Sequence, residues 1–308
     1  ETICMRLLAN SGPEGLSGMR SNTVVGGLRI LRPLLKISKH RLIATCKAFN
    51  QEWVVDPTNQ DTKYCRVKIR QMMPDIEKTG LERNKTLRLA SAMEKLRDAF
   101  DHFSSSFIKN NGGILKTGIA WINMSSFEKM PNKFKELILL RLLISIGGAS
   151  WPSNKKKISR LIDILKREKN GKTTLGGCVI EKTISGKIWI YREIKRRCLS
   201  VVIAPGAKLR WDNRFEVFQN FDKKLTLEPL GEQGWRKIKE DQTPSLSDIF
   251  DFSIPFHARI TIPVARSLDG DLIIPHFEGI DRKKCERSSN IVSCDFRPDA
   301  SWVRGLKA

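Results

Sequence analysis

Three cations at helical spacing, Lys63, Arg66 and Arg70, are the first residues in the sequence whose pattern could do chemistry. They advance by three and four positions, so on a helix they share one face. Such a face is either an ordinary solvated surface or a binding surface for a phosphodiester backbone, because Arg and Lys are the usual phosphate ligands. The residue types alone favour neither interpretation.

A turn precedes these cations and would position them. Asp56, which is followed by Pro57, and Asn59 are typical turn residues, and either side chain could accept from free amides at the start of the next helix. The pattern predicts that this helix runs from about residue 61 to residue 73 and ends at Pro74. We expect Asp56 and Asn59 to hold the helix and its basic face to contact RNA.

Two glycine-containing segments are further candidates. Ser11 and Gly12 open a loop in which glycine recurs at every third position as far as Gly18, but the loop matches neither a Walker-type nor a dinucleotide-binding motif. Gly176 and Gly177 stand among strand-forming residues, where paired glycines indicate a bulge or a close backbone approach. The sequence shows no nucleophilic triad, paired carboxylates or metal-ligand spacing, so we predict no metal site built from these residues.

The composition narrows the class of partner. The 308 residues contain 55 Lys and Arg against 33 Asp and Glu, which gives a net charge of +22. Such a charge favours nucleic acid and argues against cationic substrates. The most apolar stretch, residues 137–146, is shorter than the roughly 20 residues of a membrane span, so we expect no membrane anchor.

The cysteines and the first residue suggest where the protein works and how much of it this chain represents. The seven cysteines are scattered and include no C-x-x-C pair, which is typical of reduced thiols in a cytoplasmic protein. The chain opens with Glu1 rather than Met, so we expect it to be a fragment whose true start lies upstream.

Hydrophobic periodicity divides the chain into three predicted regions, 1–75, 76–205 and 206–308. The first has a helix capped by Ser38 and a short strand at 53–55. The second is mainly helical: apolar residues from Leu89 to Phe107 recur at spacings of four and three, which predicts a buried seam. Two more helices and a hairpin about Ser185 and Gly186 complete it, and the third region is strand-rich.

Basic runs at 155–157, 195–197 and 282–284 are usually solvated faces. Together with Trp189, Tyr191 and Trp211 they could instead form an RNA surface with stacking platforms.

The order of these motifs resembles the bacterial tRNA(Ile)-lysidine synthetases, which are N-type ATP-pyrophosphatases. The likeness lies in Glu1-Thr2, Met5-Arg6-Leu7, the S-G-x-x-G-L-x-G-M loop from Ser11, Arg32-Pro33-Leu34-Leu35, D-P-T-N-x-D-x-x-Y-x-R-x-x-I-R up to Arg70, Gly147-Gly148, Arg160-Leu161-Ile162, Thr174-Leu175-Gly176-Gly177-Cys178 and Tyr191-Arg192-Glu193. It covers about residues 1–215 and fits the rest loosely.

The resemblance implies an α/β fold and a ligase. The fold would be a remnant of a Rossmann-like nucleotide α-hydrolase domain, then a helical domain with a β-hairpin, then a mixed, strand-rich C-terminal region. The enzyme would use ATP and Mg²⁺ to adenylate the wobble cytidine of a tRNA(Ile) with a CAU anticodon. Free lysine would then displace AMP, which yields lysidine.

The resemblance also suggests roles for residues. Glu1 would match the last acid of the family motif D-D-Q-x-E-T and would face the ATP and lysine site. Ser11 and Gly12, with Asp56 and Asn59, would shape that site. Gly176 and Gly177 would lie where tRNA comes near.

The sequence departs from the family pattern in two places. The nucleotide loop S-G-G-x-D-S, which would also hold Mg²⁺, occurs nowhere in the 308 residues, and the family's R-G-S-G is Ala9-Asn10-Ser11-Gly12. The chain is therefore part of an active ligase or a non-catalytic basic RNA-binding remnant. A thiolase of the same ATP-pyrophosphatase group would need cysteines at defined sites, which the scattered spacing does not supply.

Overall fold

The chain forms two compact units, residues 1–103 and 104–308. The computed structural model describes residues 1–25, 28–54, 56–80, 83–148, 154–194, 200–240, 253–276 and 292–298. The three-region division with boundaries near residues 75 and 205 stays a sequence-based prediction.

The first unit is mostly helical. Its helices are α1 Thr2–Leu8, α2 Pro13–Leu16, α3 Lys39–Ala48, a 3₁₀ helix Pro57–Gln60, α4 Cys65–Lys78 and the first part of α5 Arg83–Asn111. Strands β1 Asn22–Val25 and β2 Leu28–Leu31 pair as an antiparallel hairpin. The predicted cap of α3 is confirmed, because the Ser38 side chain accepts from the Arg41 amide at 3.3 Å.

The predicted strand at 53–55 is wrong for the two of its residues that the structure describes. Trp53 and Val54 lie in irregular chain, and Val54 is 95% exposed. A strand needs a partner for its backbone groups, and none of the described strands pairs with this segment.

Polar and apolar contacts both hold the first unit together. Cys4 on α1 and Val67 and Ile69 on α4 are buried, and α1 packs against α4. On α5 the buried Arg97 donates to the Ser17 hydroxyl at 2.7 Å, which attaches the long helix to the turn after α2.

The long helix α5 confirms the predicted helix but only part of the predicted seam. Leu96 and Phe103 remain 37% exposed, whereas Phe107 is buried in the core of the second unit. The apolar spacing therefore indicated the helix correctly but overstated how much of it is covered.

The second unit is built on a five-stranded antiparallel sheet with the order β3-β4-β7-β6-β5. The strands are β3 Gly112–Ile114, β4 Ala120–Asn123, β5 Gly171–Leu175, β6 Cys178–Lys182 and β7 Lys187–Arg192. The predicted hairpin about Ser185 and Gly186 is confirmed as β6–β7, but it is only part of this larger sheet.

Three helices and the end of α5 cover one face of the sheet. They are α6 Met124–Glu128, α7 Asn132–Gly147 and α8 Lys155–Arg167. Ile138 and Leu142 of α7 pack with Ile188 and Ile190 of β7 in one buried cluster. As predicted, α7 ends at a glycine pair, with Gly148 at a φ of +63°. The predicted start of α8 at 152–153 lies outside the described residues.

The C-terminal part of the second unit is strand-rich, as predicted. Its elements are β8 Val201–Ile203, β9 Lys208–Trp211, β10 Phe215–Gln219, β11 Leu225–Pro229, α9 Gly231–Glu240, α10 Phe256–Arg259, β12 Pro263–Arg266, β13 Leu272–Ile273 and β14 Val292–Phe296. They form sheets ordered β14-β10-β9 and β13-β12-β11-β8. Trp189 and Tyr191 of β7 pack with Ile262 and Val264, so residues on both sides of position 205 share a core.

Two smaller expectations concern the cysteines and the membrane. None of the five described cysteines forms a disulfide; Cys4, Cys178 and Cys294 are buried, whereas Cys65 is exposed. In the part of the chain that the structure describes, no helix has the length and apolarity to cross a membrane.

Candidate functional site

Glu1 and Arg70, which are 69 positions apart, meet in a bidentate ion pair. Nε of Arg70 donates to Oε1 of Glu1 at 2.6 Å, and Nη2 donates to Oε2 at 3.2 Å. Nη1 of Arg70 also points to the backbone oxygen of Asn59 at 3.4 Å. Because Glu1 directly precedes α1 and Arg70 lies on α4, the packing of these two helices brings the pair together.

The ion pair keeps the carboxylate charged. The hydrogen bond from Arg70 is the main reason that the pKa of Glu1 lies below its ordinary value; the charges of Arg70 and Arg66 lower it further, and desolvation opposes them. The same hydrogen bond raises the pKa of Arg70. The Glu1 side chain is 29% exposed, and a carboxylate offers about four lone-pair sites, so Glu1 can accept a second cation beside Arg70.

Asp56 and Asn59 organise a short turn rather than the basic helix. Oδ1 of Asp56 accepts from the Thr58 amide at 2.8 Å and from the Thr58 hydroxyl at 2.7 Å, and these bonds lower the pKa of Asp56. The Asn59 amide donates to the backbone oxygen of Asp56 at 3.1 Å. Asp56 therefore caps the 3₁₀ helix, whereas the N-cap of α4 is Tyr64, which makes no side-chain capping bond. The expectation that Asp56 and Asn59 cap the basic helix is wrong, but Asn59 reaches Arg70 through its carbonyl.

The predicted three-cation face exists only in part. Since α4 begins at Cys65, Lys63 lies before the helix, and only Arg66 and Arg70 follow each other by one turn. The helix also continues through Pro74 instead of ending there. Pro74 cannot donate to the carbonyl of Arg70, and because both residues are exposed, water can take that hydrogen bond.

Ser11 and Gly12 shape the link between α1 and α2. The Ser11 amide donates to the Arg6 carbonyl at 2.9 Å, and Gly12 is the N-cap of α2. A Cβ on Gly15 would lie only 2.7 Å from that of Ser11, so this close packing requires glycine. Among the described residues, neither Ser11 nor Gly12 makes a hydrogen bond to Glu1 or Arg70.

Gly176 and Gly177 form the tight turn between β5 and β6. Their φ angles are +63° and +76°, and the flanking residues Leu175 and Cys178 pair directly. Two-residue hairpin turns need this left-handed backbone, so the predicted bulge within a strand is wrong. The backbone does come close to another segment here, but the glycine that this contact requires is Gly147, because a Cβ on Gly147 would collide with the carbonyl oxygen of Gly176.

Comparisons with known proteins agree with the motifs. Residues 1–76 match the model of the PP-loop domain. The chain is 29% identical over 285 residues to the tRNA(Ile)-lysidine synthase of Rickettsia akari (strain Hartford), which covers 91% of this chain and 65% of that protein. It is 28% identical over 302 residues to the tRNA(Ile)-lysidine synthase of Rickettsia bellii (strain OSU 85-389), a match that covers 97% of this chain and 68% of that protein. It is also 28% identical over 226 residues to the tRNA(Ile)-lysidine synthase of Anaplasma marginale (strain St. Maries), a match that covers 70% of this chain and 47% of that protein.

The chain is similar over most of its length to bacterial tRNA(Ile)-lysidine synthases. It spans about 65% of the length of the first of these relatives. The predicted fold class is confirmed, with a PP-loop segment of Rossmann-like type followed by mixed helices and antiparallel sheets. With one relative the similarity extends over 302 residues, 97% of the chain, so it continues past residue 215.

Two residues of the quoted motifs, Gly177 and Arg192, join a buried ionic network that the sequence pattern did not indicate. Arg192, quoted only as part of Tyr191-Arg192-Glu193, donates to the Gly177 carbonyl at 2.9 Å and pairs with Asp212 at 2.8 Å. Asp212 also pairs with Arg214, whose Nη2 lies 2.6 Å from Oδ2. The spacing of the motif gave no signal of this network, because Asp212 and Arg214 come from the distant turn between β9 and β10.

The proposed stacking platforms are not available. Trp189, Tyr191 and Trp211 are all at most 2% exposed and belong to the hydrophobic core. Of the three basic runs, 195–197 and 282–284 lie outside the described residues, and 155–157 begins α8.

The described residues do not by themselves fit ATP and Mg²⁺. No group of three or more His, Cys, Asp or Glu among them could hold a metal ion. The glycine segment folds around the four-residue helix α2, and the family loop S-G-G-x-D-S is not among the 308 residues. What this site offers is a held carboxylate, Glu1, beside the cations Arg66 and Arg70.

Proposed function

We propose that this chain serves in the ATP-dependent ligation of lysine to the wobble cytidine of a tRNA(Ile) with a CAU anticodon. The cytidine is adenylated, and the amino group of free lysine then displaces AMP to form lysidine. The relatives, which are named tRNA(Ile)-lysidine synthases, and the PP-loop match support this reaction class. The net charge of +22 suits a tRNA partner, and the proposed location is the cytoplasm.

The observation that carries the proposal is the Glu1–Arg70 ion pair. It joins the last acid of one family motif, Glu1, to the last residue of another, Arg70, which is 69 positions away, and this contact supports a single site built from the two motifs. In this site Glu1 accepts the ammonium group of the incoming lysine through a lone pair that Arg70 leaves free. Arg70 is a positioning residue that holds the carboxylate ionised and oriented, and Asn59 fixes Arg70 through its carbonyl.

The chain alone is predicted not to use ATP. The 308 residues contain no S-G-G-x-D-S loop, whose amides and side chains would bind phosphate and Mg²⁺. Purified chain, an unmodified tRNA(Ile) transcript, ATP and labelled lysine should therefore release no AMP and incorporate no lysine. Lysine-dependent AMP release by this chain alone would contradict the prediction.

The ligase proposal is tested by joining the chain to the part of the Rickettsia akari relative that contains its S-G-G-x-D-S loop. The fusion should incorporate lysine into the CAU transcript and not into a tRNA with another anticodon. Glu1→Gln should raise the KM for lysine by roughly 10- to 100-fold with a smaller change in kcat, since one charge-assisted hydrogen bond is lost. A fusion that binds tRNA and incorporates no lysine would favour the non-catalytic RNA-binding alternative.

A further inference from the structure

Helix α8 has an apolar face in the core and a basic face in solvent. Its buried side chains are 1–4% exposed and belong to one hydrophobic cluster: Ile158, Leu161, Ile162 and Leu165. Its exposed cations are Lys156, Lys157, Arg160, Lys166 and Arg167. The helix contains a single acidic residue, Asp163.

Three of the cations form a narrow stripe. At 100° per residue, Lys156, Arg160 and Arg167 fall within about 40° of one another, directly opposite the buried face, and the exposed Asp163 falls about 20° to one side of Lys156. At 1.5 Å per residue the stripe is about 16 Å long. The fold itself therefore presents these three charges together and outward.

Among the described residues, no ion pair accounts for the position of these charges. In the described part of the chain, no carboxylate lies within 4.0 Å of Lys156, Arg160 or Arg167, whereas Lys172 on the nearby β5 is paired with Glu181 at 3.6 Å. Lys156 and Arg160 are like charges one turn apart, and the first turn of α8 holds no acid to complement the helix dipole. Both features disfavour the N-terminal end of an isolated helix, whereas Arg167 in the last turn complements the dipole, so Lys156 and Arg160 above all are placed for an external anion.

The surroundings of the stripe define the anion. An amphipathic helix binds a membrane through an exposed apolar face, and that of α8 is already buried in the core. The helix carries no aromatic residue that could stack on a base. We propose that Lys156, Arg160 and Arg167 bind the phosphate backbone of the tRNA, without reading its sequence. The identity of this RNA rests on the proposed function.

The test is a salt titration of RNA binding by the full chain. The variant Lys156→Gln/Arg160→Gln/Arg167→Gln is compared with Lys224→Gln/Arg236→Gln/Lys239→Gln, which removes three exposed cations from other elements of the same unit. Both are titrated with a tRNA(Ile) CAU transcript and with a transcript of another tRNA. The α8 variant should bind both RNAs at least about tenfold more weakly at 0.1 M salt, with a salt slope shallower by about three. The control variant should resemble wild type.

Folding is checked by thermal melting, where the α8 variant should match or exceed wild type because like charges are removed. The single variants Arg160→Gln and Arg160→Lys give a milder comparison, in which only the charge-conserving one should keep the slope. Equal weakening by both triple variants, or none by the α8 variant, would overturn the proposal. The α8 variant could bind both RNAs more weakly, as expected, while the fusion described above makes no lysidine. In that case the RNA-binding role of α8 is supported and the proposed ligase function is contradicted.

Discussion

The first unit holds its motif residues by polar contacts near the surface, whereas the second holds its own inside a packed core. In residues 1–103, large apolar side chains such as Leu8 and Phe49 are exposed, and the motif pair Glu1–Arg70 is open to solvent. In residues 104–308, three hydrophobic clusters surround the sheets, and Gly177 is bound to Arg192 beside the buried Asp212.

The difference shows that residues matching family motifs can have two different roles: some remain accessible to a substrate, and others hold the fold together. A motif residue that is half-exposed and hydrogen-bonded, as Glu1 is, keeps lone pairs for a substrate. A motif residue that is enclosed by the fold, as Gly177 is, has its backbone carbonyl occupied by a hydrogen bond within the protein, from Arg192. Variants in the two units should therefore fail in different ways.

The largest effect is expected from Asp212→Asn. Asp212 is 4% exposed and Arg214 is 2% exposed, so the substitution leaves a buried guanidinium without its counter-charge. Asparagine keeps the shape and tolerates the φ of +49°, so the effect reports the charge. We expect the free energy of unfolding, measured with urea, to fall by about 3–5 kcal/mol.

The matched control is Asp269→Asn. Asp269 is 73% exposed and lies 3.8 Å from Lys223, so its loss should change stability by no more than about 0.5 kcal/mol. A loss of under about 1 kcal/mol for Asp212→Asn would show that the network is not what distinguishes the second unit.

A smaller loss of stability is expected from Gly177→Val. The sequence analysis favours a tRNA role for this glycine, but at a φ of +76° a valine is strained by about 1–2 kcal/mol, and its Cβ would lie 2.5 Å from Nη1 of Arg192. Displacing that buried hydrogen bond adds about 1–3 kcal/mol.

Gly186→Val separates the two contributions. Gly186 has the same φ of +76° with nothing within 4 Å, so it should show the strain alone. Melting temperature and tRNA affinity are measured for both variants. If Gly177→Val melts like wild type and binds tRNA poorly, the glycine acts on RNA after all.

The same contrast explains what the sequence could predict. Local signals were sufficient where the outcome depends on neighbours in the chain: the Ser38 cap, the end of α7 at Gly148 and the β6–β7 hairpin. They were insufficient where distant partners decide. From the sequence, Trp189 and Tyr191 could be either stacking platforms or core residues, and only the packing of β12 against them decides for the core. Similarly, nothing near Arg70 in the sequence indicates that Glu1 neutralises its charge.

The smallest effect concerns Arg66 and Arg70, which the sequence treats alike and the structure does not. Arg70 is paired with the carboxylate of Glu1. Arg66 is exposed, and none of the described carboxylates lies within 4.0 Å of it. In a salt titration of tRNA binding, Arg66→Ala should make the slope shallower by about one, and Arg70→Ala should leave it nearly unchanged. Glu1→Gln should release Arg70 and make the slope steeper, by at most about one, because a freed guanidinium can then reach phosphate. If Arg70→Ala flattens the slope as much as Arg66→Ala, Arg70 leaves Glu1 when RNA binds, and the surface pair in the first unit is a switch rather than a fixed support.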